Sequence, residues 1–209
     1  PLRMIEDSQE FYRLIADAVS DMRPRESAAI MPLVTPGIAD EVGKWKWLDG
    51  IEDAGQALAI LNDARPLSPG ALQILPTLVA RVGQNERSLF SFLRETDLSR
   101  KVDIEAVYTS FSDAMRTDVG IGGTYRRWIE TESARSRADT ALQRMLLAAA
   151  CLLQLGSSGE RRRLPRDVLE LAVADADTPP ADVTAAVNSL LEAKLLLWRK
   201  HTDDVAVWH

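Results

Sequence analysis

One cysteine, two histidines and no apolar run long enough to cross a bilayer set the first limits on this 209-residue chain. Cys151 has no partner within the chain, so no internal disulfide can form. Its setting, Met145-Leu-Leu-Ala-Ala-Ala-Cys-Leu-Leu-Gln154, reads as a buried helical thiol rather than a nucleophile. His201 and His209 have no cysteine or carboxylate at metal-ligand spacing, so no metal site is expected. A hairpin tip and a chain end also suit a triad histidine poorly, and no catalytic residue is assigned. No stretch reaches the roughly 18 apolar residues of a membrane span, and Pro1-Leu-Arg-Met-Ile-Glu-Asp7 lacks a signal-peptide core. A cytoplasmic protein without membrane contact is predicted. The opening proline, where an initiator methionine would stand, suggests a piece of something longer. A phosphate-cradling P-loop is missing as well. Gly120-Ile-Gly-Gly-Thr124 is short and lacks the lysine, and it reads as a helix-breaking linker.

What is present is ordinary globular material: 46% hydrophobic and 27% charged residues, enough to build a sizeable core. The net charge of −6 argues against a nucleic-acid-coating protein and confines any DNA contact to a local patch. Apolar residues recur at three- and four-residue steps through most of the chain. They predict helices over Gln9–Met22 with Ser8 as N-cap, around Ile38–Trp47, over Ile51–Asn62, from Pro69 through a kink at Pro76 to a stop at Gly83, from a cap at Asn85 or Ser88 to about Arg94, and over Ile104–Arg116. Thr124–Leu155 contains neither proline nor glycine and predicts one long helix or two nearly collinear ones. The five tryptophans, Trp45, Trp47, Trp128, Trp198 and Trp208, read as core or interface anchors.

The last third changes pattern. Pro165 opens a helix to about Ala174, Thr178-Pro-Pro-Ala-Asp182 introduces another, and Leu195–Lys200 with Val205–Trp208 flank the polar turn His201–Asp204. Helix, helix and two-stranded wing make a winged helix. The expected architecture is mainly α: a helical, lid-like bundle over 1–135, then a winged helix over 136–209 with a small C-terminal β-hairpin, the two sharing the long helix. The boundary is placed near Gly156-Ser-Ser-Gly159.

One segment is more particular: Arg65-Pro-Leu-Ser-Pro69, a helix containing Leu75-Pro76, then Gly83-Gln-Asn-Glu-Arg-Ser-Leu-Phe-Ser-Phe-Leu93. It resembles the region beyond the nucleotide-binding core in large bacterial P-loop ATPases of the AAA+ and STAND-like type. There a similar run precedes a winged helix whose wing is similar to Leu197–Lys200 joined to Val205–Trp208. The family continues past the wing tryptophan into an acidic, glycine-containing stretch, whereas here His209 ends the sequence. The resemblance implies a non-catalytic lid and winged helix of an ATP-binding parent, with ATP and Mg²⁺ held by the parent and its other domains as partners. It also implies a nucleotide-sensing role for Gln84, Asn85 and Arg87, the arginine facing the terminal phosphate. Helix N-termini favour anions in any case. The plainer reading has Asn85 capping the helix and Arg87 paired to a carboxylate.

The alternative is a DNA- or protein-binding winged-helix regulator without nucleotide dependence. The expected recognition helix, Asp182–Lys194, sets one lysine against Asp182 and Glu192 and offers only Asn188 and Lys194 to base edges and phosphates. Arg161, Arg162, Arg163 and Arg166 form one basic cluster, and Arg199 with Lys200 a second on the wing. These are the candidate contacts to a DNA backbone, and weak, sequence-indifferent binding is what they predict.

Overall fold

The computed structural model describes residues 2–24, 34–82, 86–155 and 162–208, excluding the side chains of 2–8, Glu86 and Arg87. It is mainly helical, with ten helices among the described residues and one antiparallel two-stranded hairpin. The first half contains α1 (Leu2–Met22), α2 (Pro36–Lys44), α3 (Ala54–Asp63), α4 (Pro69–Val82), α5 (Glu86–Glu95), α6 (Ile104–Thr117) and α7 (Tyr125–Arg135). Then come α8 (Ala141–Leu153), α9 (Arg166–Val173), α10 (Pro180–Glu192), β1 (Leu196–Arg199) and β2 (Asp204–Val207).

Helix starts follow side-chain chemistry. Thr35, Asp53 and Asp103 each accept a hydrogen bond from a backbone N–H in the first turn of α2, α3 and α6. Ser68 Oγ does the same for Ala71 N at 3.2 Å, just ahead of Pro69. Helix α1 begins at Leu2, so Ser8 lies within it rather than capping it. Helix α4 runs on through Pro76, which has no N–H to give to the preceding turn.

In place of one long helix or two nearly collinear ones, Thr124–Leu155 holds two helices, α7 and α8, packed against each other. Thr140 ends the continuity. Its side chain accepts from Gln143 N at 3.1 Å while Gln143 Oε1 accepts from Thr140 N at 3.2 Å, a capping box that starts a helix without glycine or proline.

Helix α8 is the centre of the molecule. Leu146 through Leu153 are buried without a break, the pattern of a helix covered on all sides. One side packs on α4, α6 and α7, the other on α9, α10 and β2, so a single core spans the expected boundary. One close approach lies between α4 and α9: a Cβ at Gly70 would stand 2.0 Å from the carbonyl oxygen of Ala172. Lys101 Nζ reaches Asp175 Oδ2 at 2.9 Å, joining the segment before α6 to the end of α9. Asp175 is only 4% exposed, and its other carboxylate oxygen accepts from Asp177 N and Thr178 N. The linker at Gly156–Gly159 lies outside the described residues.

In the hairpin Leu196 faces Val207 and Arg199 faces Asp204. Val205 N donates to Leu164 O at 2.8 Å, and Leu164 N donates to Asp204 Oδ1 at 3.1 Å. The chain entering α9 is thereby fastened along the outer side of β2, leaving β1 as the other edge.

Candidate functional site

The structure treats the sequence-predicted residues unequally. Gln84, Asn85 and Arg161 lie outside the described residues, and Arg87 is described by its backbone alone, as the second residue of α5. Helix α4 ends at Val82, and near its other end Gly70 lies against α9. In the last turn of α4 Arg81 donates to the carbonyl of Gly122, in the loop 118–124.

That loop is tightly built. Asp118 Oδ2 accepts from Thr124 N at 2.7 Å and from Thr124 Oγ1 at 3.0 Å, and Gly122 has φ of 74°, a backbone that favours glycine. Its outer side exposes Val119 and Ile121, with Tyr125 and Ile129 exposed on α7.

The five described basic residues among those proposed as DNA contacts do not form one free cationic surface. Arg162 stands 3.7 Å from Asp49, while Arg163 is exposed with no ion pair among the described residues. Arg166 is drawn inward: its side chain is 15% exposed. It donates to Glu170 Oε1 at 2.7 Å and to Asn188 Oδ1 at 2.8 Å, and it lies 5.0 Å from the centre of the Trp198 ring. This one guanidinium therefore braces α9, α10 and β1 together. Arg199 pairs with Asp204 at 3.0 Å, and Lys200 Nζ stands 5.4 Å from the centre of the same Trp198 ring.

Helix α10, which occupies the recognition position, turns Ala181, Asp182, Ala185, Asn188 and Glu192 outward. Asn188, the residue best suited to an adenine edge, has its amide oxygen taken by Arg166. Sequence spacing gave no sign of this pairing, because the partners lie 22 residues apart and meet only through the α9–α10 packing.

Two concavities flank this region. A pocket of about 210 Å³ between α2 and α9 has Glu41, Asp167 and Glu170 at its rim. Those carboxylates already have partners: Lys44 and Trp45 at Glu41, Lys44 at 3.9 Å from Asp167, and Arg166 with Thr184 at Glu170. The second, about 500 Å³ and more open, runs between α10 and β1 and is lined by Leu191, Leu196, Leu197 and Trp198 with polar residues at its margins. Four of the five tryptophans pack in or against the core, and Trp208, at 52% exposure, is the exception.

Among the described residues, no group of three His, Cys, Asp or Glu could hold a metal ion. No described helix is long and apolar enough to cross a membrane. Burial pushes the Cys151 thiol up to about 11, away from nucleophilic chemistry at neutral pH. No protein-family model, no curated protein and no solved structure matches this chain.

Proposed function

We propose that the chain is the non-catalytic helical and winged-helix part of a larger ATP-binding protein, one that responds to nucleotide held elsewhere and makes contacts with other domains or partners. The observation that carries this reading is the single core through α8. Helix α4 ends at Val82, just before the candidate sensor residues Gln84, Asn85 and Arg87 in the sequence, and at Gly70 its other end touches α9 of the winged helix. A displacement of α4 is transmitted to the winged helix because close-packed helices move as bodies rather than deform.

The resemblance of Gly83–Leu93 to AAA+ and STAND-like ATPases supports the nucleotide half of the proposal. The contact-making half is supported by α10, whose outward face is small and acidic and whose asparagine is engaged. Base reading wants free Arg, Lys, Asn or Gln at that position. Hydrogen exchange on the full-length gene product tests the proposal: a non-hydrolysable ATP analogue should protect the first turn of α5 and alter exchange in α9. An analogue that binds the parent and leaves both segments unchanged contradicts it.

A further inference from the structure

We infer that the pocket between α2 and α9 is a binding site for a small aliphatic amine, with the ammonium group at the Asp167 carboxylate and the hydrocarbon chain on Ile38, Leu171 and Ala174. The inference goes beyond the ATPase reading and does not depend on it.

The floor of the pocket is apolar and fixed in place by the core. Ile38 of α2 is 3% exposed, and Leu171 and Ala174, at the end of α9, are each 5% exposed. Pro180, the first residue of α10, adds an apolar wall. Between these residues about 210 Å³ stays open. Gly37 lines the same pocket without a side chain, and a Cβ there would meet nothing within 4 Å. The volume lies below the roughly 300–1,000 Å³ of sites for drug-sized molecules, which restricts the ligand to a short chain. Covering such a floor with hydrocarbon releases the water that otherwise lies against it.

The rim selects the head group. Glu41, Asp167 and Glu170 stand around the floor, and only two cations, Lys44 and Arg166, lie within ion-pair distance of them. One negative charge is therefore left over. Glu41 accepts from Lys44 Nζ and from Trp45 Nε1, each at 3.0 Å. Glu170 accepts from Arg166 Nε and from Thr184 Oγ1, each at 2.7 Å. Asp167, in the first turn of α9, has Lys44 at 3.9 Å, beyond hydrogen-bond reach, as its one charged neighbour among the described residues. An ammonium group brings this carboxylate both the missing charge and hydrogen-bond donors. A carboxylate ligand would be repelled, and an alcohol would bring a donor without the charge. Lys44 itself competes with the ligand, because its ammonium already serves two carboxylates.

The test is an NMR titration of the whole chain with n-pentylamine hydrochloride at constant pH and ionic strength. The amides of Ile38, Leu171 and Ala174 should shift saturably, with a dissociation constant in about the millimolar range. Methylamine, which keeps the charge and loses the chain, should bind about tenfold or more weakly. n-Pentanol should bind about threefold or more weakly, and Asp167→Asn should lower the affinity for the amine about threefold to fivefold. Lys44→Ala should raise it, since the competing cation is gone. Both substituted side chains are more than half exposed, and unchanged melting temperatures establish that the variants fold. Absence of saturable shifts at these amides, equal binding of n-pentanol, unaltered affinity in Asp167→Asn, or a fall in Lys44→Ala overturns the inference. Binding of a lysine-containing peptide with blocked ends, without binding of the free amine, overturns it as well and gives the pocket to a partner's side chain.

Discussion

Gly70 shows how one hydrogen atom at a helix surface can fix the arrangement of two helices. Adding a methyl group there would drive it into the Ala172 carbonyl, a backbone atom that cannot swing aside. Gly70→Ala should therefore cost about 2–4 kcal/mol by forcing α4 and α9 apart. Gly37 is the internal control, because a Cβ there meets nothing within 4 Å. Gly37→Ala should be neutral or stabilise by up to about 1 kcal/mol. Denaturant titration of both variants measures the contrast, and equal effects would show that the α4–α9 contact is not tight.

The buried thiol gives the chain an alkaline limit. Burial raises Cys151 from its usual 9.0 to about 11, with a hydrogen bond from Thr131 opposing the shift. A raised pKa means that the folded state holds the proton more tightly than the unfolded chain. The associated stability is complete below pH 9 and is lost as pH climbs toward 11, by about 2–3 kcal/mol. Tyr12 and Tyr108 are also raised, chiefly by burial, and extend the loss to higher pH. Denaturation of wild type and Cys151→Ala at pH 8 and pH 11 isolates the thiol: the drop between the two should be smaller in the variant. An equal drop would mean that Cys151 is not buried as described.

At the scale of elements, the sequence carried most of the helices and the hairpin, because amphipathic spacing, caps and prolines are local signals. Thr35, Asp53, Ser68 and Asp103 each stand where a helix start needs an acceptor. Helices α7 and α8 were harder to separate. Reliance on glycine and proline as the stop signals hid the break, although Thr140 and Gln143 spell a capping box in the sequence itself. Thr140→Ala should cost about 1 kcal/mol by leaving Gln143 N without its acceptor. Thermal melts test this, and an unchanged melting temperature would remove the cap from the account of the break. Arg166 illustrates what no local pattern holds. Counted by charge it is a DNA contact, but its place between Glu170, Asn188 and Trp198 depends on three elements meeting in space.

For the whole molecule, the proposal is that the segment carrying Gln84, Asn85 and Arg87 and the winged helix act as one unit within an ATP-binding parent. The shared α8 core, the Gly70 contact and the Lys101–Asp175 pair join α4 and the segment before α6 to α9 within the chain. Weak, salt-sensitive and sequence-indifferent duplex binding is expected beside it. Arg163 and Lys200 lack ion pairs among the described residues, Arg162 lies in an exposed pair, and Arg199 is half-exposed although its partner Asp204 is buried. A salt titration should show affinity falling steeply with ionic strength; tight sequence-selective binding at physiological salt would favour the regulator reading instead. The most direct measurement concerns Arg87: ATP turnover per folded molecule by the full-length gene product with and without Arg87→Ala, alongside the melting temperature of this chain. The account predicts a loss of turnover of about tenfold or more with the melting temperature unchanged, since a cation aimed at the terminal phosphate acts in the transition state and contributes little to folding. Unchanged turnover together with a strongly destabilised chain would contradict it and make Arg87 part of the scaffold.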